Sequence, residues 1–457
     1  MKTRRGIDRL SSDEKSELLA TMQRQGMPRV REAPATAPGN SPDMSFKSLP
    51  GWEQFRVIRA ASDMLGIVNP FYREHDVRAG ATSVIAGRPV ANFACYDYLG
   101  LNGHPAIARA VAEAAERWGT SVSASRITAG ERPFHRELER GLAALHKADD
   151  AAVFVSGHAT NVSVIPQLVG PKDSVLHDAL MHNSGVVGAQ MSGAHRRVYP
   201  HNDYDALEQI LAAERHRYGR ALIVTEGLFS MDGDIPDLPR LIELKSKYGC
   251  WLMVDEAHAI GVLGARGYGI AEHFGVDPAS VDVWMGTLSK TLVSTGGYIA
   301  GSHDLIDYLK FTAPGLVYSV GIAPPAAAAA LAALGLLNRE PERVARLQAN
   351  GRAFLDKARR AGLNTGSGAG YAVAPVVIGD SLRTVMLAQR LLQRGINAVP
   401  IVPPGVQEKS ARLRFFVCAE HQDSQIEQAV AATREELAAL ERDGVSLANI
   451  AQLTGAK

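Results

Sequence analysis

The stretch that decides the fold is VDVWMGTLSKTLVSTGGYI, Val281–Ile299. Its apolar opening, with Val281, Val283, Trp284 and Met285, reads as a buried strand. Thr287, Ser289 and Lys290 follow where that strand ends, and the small residues Ser294, Thr295, Gly296 and Gly297 permit close backbone approach. A lysine in so apolar a setting has two readings. It snorkels at a strand end, or it is a Schiff-base lysine whose pKa burial lowers.

A second stretch, WLMVDEAHAI (Trp251–Ile260), favours the Schiff base. Trp251–Val254 is another buried strand, with Asp255 at its carboxyl end and His258 three residues on. Ligands of open α/β sheets bind outside the carboxyl ends of the strands. A carboxylate, an imidazole and a lysine therefore converge on one crevice. Pyridoxal phosphate (PLP) needs that set. A carboxylate keeps its pyridine nitrogen protonated, a donor tunes its phenolic oxygen, and a lysine forms the imine.

VDEAH and GTLSK, with EGLFSMDGD (Glu226–Asp234) upstream, resemble the α-oxoamine synthases, and the motifs fall in that family's order. These are fold-type I PLP-dependent acyltransferases that join an amino acid to an acyl thioester with loss of carbon dioxide. Serine palmitoyltransferase, aminolevulinate synthase, amino-oxononanoate synthase and polyketide-pathway members belong to them. The resemblance implies an α/β fold with a large, mostly parallel-sheet domain and a smaller C-terminal α/β domain. Its division of the chain is 1–50 for an N-terminal helix and linker and 51–100 for substrate and dimer contacts. Residues 101–337 are the large PLP-binding domain, 338–441 the small domain and 442–457 a tail.

Residue by residue, the resemblance makes Lys290 the imine lysine and the acceptor of the substrate's α-proton. Asp255 faces the pyridine nitrogen, His182 in DALMHNS stacks on the ring, and His258 and Ser230 adjust the phenolic oxygen. The phosphate is held by main-chain amides of Gly157 and His158 in SGHATN, and by Thr287 and Ser289. Ser319 in YSVGIAPP reaches the phosphate of the partner subunit, which implies a homodimer with shared active sites. Arg414 in RLRFFVCAEH grips the substrate carboxylate, two residues from Arg412 on one strand face. YDYLGL resembles the family's substrate segment; Tyr96 opens it where many members have asparagine, and a tyrosine there resembles the serine palmitoyltransferase branch. Taken alone, His182 is a surface or capping histidine, either arginine a surface ion pair, and His135 a capping or packed histidine.

The rest of the chain sets bounds. Its 457 residues carry a formal net charge of +1, which gives no electrostatic case for nucleic acid. Cys95, Cys250 and Cys418 show no metal spacing and suit a reducing, cytoplasmic setting. No apolar run reaches transmembrane length. A helix is expected within residues 1–27, then a linker rich in Pro, Ala, Ser and Gly. This front piece reads as a tail with a nascent helix, or as a docking helix or junction to a carrier-protein domain. A hairpin turning at Gly87–Arg88 and two helices within 105–146 precede the alternating strand–helix region. The expected reaction is a decarboxylative Claisen condensation of a small amino acid with an acyl-CoA or acyl-carrier-protein thioester, giving an α-aminoketone. The alternatives are another fold-type I reaction, transamination or retro-aldol cleavage, and a catalytically silent subunit.

Overall fold

A computed structural model describes residues 44–449, so the expected N-terminal helix and the far tail lie outside the described residues. The first two strands, β1 (Thr82–Ile85) and β2 (Arg88–Asn92), form the expected hairpin. Its turn is Ala86–Gly87, both at positive φ, so Arg88 opens the second strand instead of sitting in the turn. The helices expected within 105–146 are Pro105–Trp118 and Pro133–His146. His135 is fully buried in the second and accepts the Arg132 N–H at its start, so it is a packed, capping histidine.

Seven strands then build one sheet: β3 (Asp150–Phe154), β4 (Ser174–Asp178), β5 (His195–Tyr199), β6 (Ala221–Glu226), β7 (Trp251–Asp255), β8 (Val283–Thr287) and β9 (Gly297–Gly301). Their spatial order is β3-β9-β8-β7-β6-β4-β5. The strands from β8 to β5 run parallel, and β9 runs against both its neighbours. Parallel strands buried on both faces need nearly continuous apolar runs, and β6, β7 and β8 have them. Leu252, Val254 and Trp284 enter the core on one face, while Met253, Val283 and Met285 enter the core on the other. β5 reads HRRVY and lies at the sheet edge with alternate residues exposed, so no apolar run announces it.

The C-terminal part adds β10 (Val373–Val377), β11 (Ile396–Asn397), β12 (Val399–Ile401) and β13 (Arg412–Phe416). β13 lies between β10 and β12, antiparallel to both. Helices Glu342–Arg360, Ser381–Gln393 and Asp423–Arg442 supply Phe354, Leu387 and Val430 to a core shared with Phe415. Phe93 joins the same core, and β11 pairs in parallel with β2. The early hairpin is thus built onto the C-terminal unit.

One tight joint links that unit to the large sheet. Gly233, in the turn after β6, has φ +69°. A Cβ there would overlap the carbonyl oxygen of Val373 on β10. Gly233→Ala therefore combines left-handed strain with a backbone clash. We expect a loss of about 1–3 kcal/mol, seen as a lower midpoint of thermal unfolding. An unchanged midpoint would show that the two units do not bear on each other here.

Candidate active site

The carboxyl ends of the parallel strands border one cavity of about 270 Å³. Its floor is electrostatic. β7 delivers Asp255, which is buried, with Oδ1 accepting the Ala257 N–H at 3.0 Å and Oδ2 accepting the Asn161 side-chain amide at 2.8 Å. β6 delivers Glu226, whose two oxygens accept the N–H groups of His182 (2.7 Å) and Ser230 (3.1 Å). Burial, with the Asp255 charge adding to it, pushes the Glu226 carboxyl up to about 8.

Lys290 follows β8 and lines the same cavity. Desolvation brings its amine down to about 8; Arg414 adds to the fall, while Asp255 and Glu226 oppose it. Its Nζ lies 5.9 Å from the centroid of the Tyr96 ring. His182 ends the loop after β4 and caps helix Asn183–Met191 by accepting the Ser184 N–H at Nδ1 (3.2 Å). Desolvation lowers its pKa, and the positive charge of Lys290 contributes. His258 is buried with Nδ1 2.7 Å from the Tyr98 hydroxyl, and burial beside Lys290 and Arg414 holds its pKa well below the usual imidazole value.

At the other side of the cavity a helix begins. Ser156 caps it by accepting the Ala159 N–H, and Gly157–Leu168 follows. Free N–H groups and the helix dipole at such a start favour an anion. Thr287 and Ser289, with hydroxyl oxygens 2.8 Å apart, line the same cavity. A Cβ at Gly157 would sit 2.9 Å from Thr287 Oγ1, so glycine keeps the helix start open against β8.

Eight of the expected residues, Gly157, His158, His182, Asp255, His258, Thr287, Ser289 and Lys290, are thus brought together. The others lie around them. Ser230 is buried beside Glu226 but does not line the cavity. Ser319 lies outside the cavity, following the exposed Tyr318. Tyr96 packs edge-on against Phe416, with ring centroids 4.8 Å apart. Arg414 reaches across from β13, donating from Nη1 to the Ser230 carbonyl (2.9 Å) and lying over the Phe416 ring. Its Nε is buried without a partner. Arg412 is engaged differently, pairing with Asp232 at 2.6 Å. Sequence reading marks Glu226 only as the first residue of EGLFSMDGD and gives no role to Asn161, Ser184 or Tyr98. A strand-terminal carboxylate beside Asp255 was the one available signal; contacts of the other three come only with the fold.

The aminotransferase class I and II family matches residues 88–432. A putative 8-amino-7-oxononanoate synthase of Gloeobacter violaceus is 42% identical over 363 residues, covering 79% of this chain and 92% of that protein. The 8-amino-7-oxononanoate synthase of Geobacter sulfurreducens is 43% identical over 356 residues, covering 77% and 90%. A lysine-to-alanine variant of serine palmitoyltransferase from S. paucimobilis, solved with a bound PLP–myriocin aldimine, superposes with a TM-score of 0.83 at 27% identity, covering 86% of this chain and 99% of that one. The chain belongs to the α-oxoamine synthases. It is a PLP-dependent acyltransferase of fold type I, condensing an amino acid with an acyl thioester as carbon dioxide leaves. No described helix is long and apolar enough to cross a membrane.

The lowered amine pKa gives a direct check. In the cofactor-free synthase, acylation of Lys290 should rise with pH around a midpoint near 8, well below ordinary lysines. Asp255→Asn removes a charge that raises this pKa, so its midpoint should move lower still. A Lys290 midpoint near 10, read by peptide mass spectrometry, would contradict the desolvated environment.

Proposed function

We propose that the cavity holds PLP through Lys290, with Asp255 at the pyridine nitrogen, and takes a small amino acid as substrate. The observation that carries this reading is the convergence of Lys290, Asp255 and His182 on one cavity from three different strand ends. The residues present fit the cofactor. The helix start at Gly157 and His158, with the Thr287 and Ser289 hydroxyls, offers donors to a phosphate dianion. Asp255, fixed by two donors, keeps lone pairs for a protonated ring nitrogen. His258, held neutral, has its Nε2 free to serve as a donor when Nδ1 accepts from Tyr98.

PLP, when bound, supplies an electron sink for the pair left behind when the α-proton departs. This chain's residues do the rest. Lys290, with its amine near neutrality, takes that proton at Nζ and returns one after carbon dioxide has left. Arg414 orients the substrate carboxylate: its buried Nε is an unpaired donor, and its guanidinium is fixed by the Ser230 carbonyl and the Phe416 face. Ser230, buried against Glu226, supports that arrangement from behind. Tyr96 flanks Lys290, its ring centroid 5.9 Å from Nζ, and packs on Phe416; the amino acid taken there is glycine, alanine or serine. The acyl donor is a CoA or carrier-protein thioester, whose shared phosphopantetheine arm reaches the same opening.

A homodimer suits the exposed surface. Tyr318 is 85% exposed, and Val320 and Ile127 are half exposed around the bridge that pairs Ser125 with Val320. A second copy seated there would bring Ser319 toward the partner's phosphate.

Titrating the holoenzyme with glycine, alanine and serine should shift its visible absorbance with one of them, and carbon dioxide should appear only when an acyl thioester is added. Arg414→Ala should raise KM for that amino acid by roughly tenfold or more, the value of a hydrogen-bonded carboxylate contact. Turnover to pyridoxamine phosphate without thioester would contradict the proposed chemistry.

A further inference from the structure

Two buried polar residues have no role in the account so far. Asn161 lies one turn into helix Gly157–Leu168 and is fully buried. Its side-chain amide donates one proton to Asp255 Oδ2 at 2.8 Å and the other to Ser184 Oγ at 2.9 Å. The opposite amide orientation would aim Oδ1 at a carboxylate, so the direction of donation is fixed. Ser184 Oγ, already an acceptor, has its own proton free for His182 Nδ1, 2.7 Å away. The Ser184 N–H points at the same nitrogen. Nδ1 is therefore an acceptor from two donors, and the ring proton belongs on Nε2.

We propose that Asn161 and Ser184 are positioning residues that hold Asp255 and His182 as one hydrogen-bonded unit and fix His182 as its Nε2–H tautomer. The proposal rests on the reading that both of those groups face the cofactor. The unit spans the sheet: Asp255 ends β7, His182 follows β4, and Asn161, on the helix after β3, meets Asp255 directly and His182 through Ser184. A core asparagine kept only for packing should satisfy all its polar atoms, but Asn161 Oδ1 has no partner. Its two donors are what the site uses. Through them the carboxylate keeps its orientation, and the imidazole keeps a fixed ring plane with Nδ1 as an acceptor.

The test compares Asn161→Ala, Ser184→Ala and Asp255→Asn with the native chain. In cofactor-free protein labelled with 15N-histidine, the native His182 should show an unprotonated Nδ1 and a protonated Nε2. Ser184→Ala removes the 2.7 Å hydroxyl donor and leaves only the 3.2 Å backbone donor on Nδ1, so a measurable share of the Nδ1–H tautomer should appear, while the unfolding midpoint stays native. Asn161→Ala should weaken PLP binding by about tenfold, as expected for losing one hydrogen bond to a charged group. If both alanine variants fold, keep the single tautomer and bind PLP with native affinity, the positioning role is wrong. If Asp255→Asn also leaves PLP affinity untouched, the reading of the site itself is wrong. Should Asn161→Ala fail to fold, the tautomer shift in Ser184→Ala still decides.

Discussion

The architecture depends on keeping an amine near neutrality beside two carboxylates and an arginine, out of bulk water. Desolvation alone would discharge Lys290, and the carboxylates alone would hold it charged. Their opposition leaves it near 8, poised to accept or give a proton. The same burial raises Glu226 and depresses His258 and His182. A parallel sheet buried on both faces supplies the low-dielectric setting, and its strand ends are the one place where such groups can still meet solvent and ligand.

The second dependence is mechanical. Arg414 belongs to the C-terminal sheet, yet its guanidinium bonds to the Ser230 carbonyl in the loop after β6. Arg412 pins the same loop through Asp232, and Gly233 lets that loop lie against β10. Arg414 is thus registered against the loop after β6 by its own bond to Ser230 and by the Arg412–Asp232 pair two residues away. The early hairpin is part of this brace, because β2 pairs with β11 and Phe93 fills the same core as Phe415.

The parts that are written as local patterns were legible in the chain. The apolar runs before Asp255 and Lys290 marked the central strands, the two helices within 105–146 formed as expected, and the resemblance carried by the motifs pointed to eight residues that line one cavity. What stayed hidden is what sequence periodicity does not encode. Edge strand β5 is too polar to resemble a buried strand. Asn161 and Asp255 are far apart in the chain and meet only because the sheet places their elements side by side. The attachment of residues 82–93 to the C-terminal unit is likewise a long-range pairing with no local mark.

The central claim is that Lys290, and no other lysine, carries the cofactor. Reducing the holoenzyme with borohydride and mapping its peptides tests this most directly. The account predicts a phosphopyridoxyl group on Lys290 alone, with none trapped in Lys290→Ala. Label on a different lysine, or equal label in that variant, would contradict it.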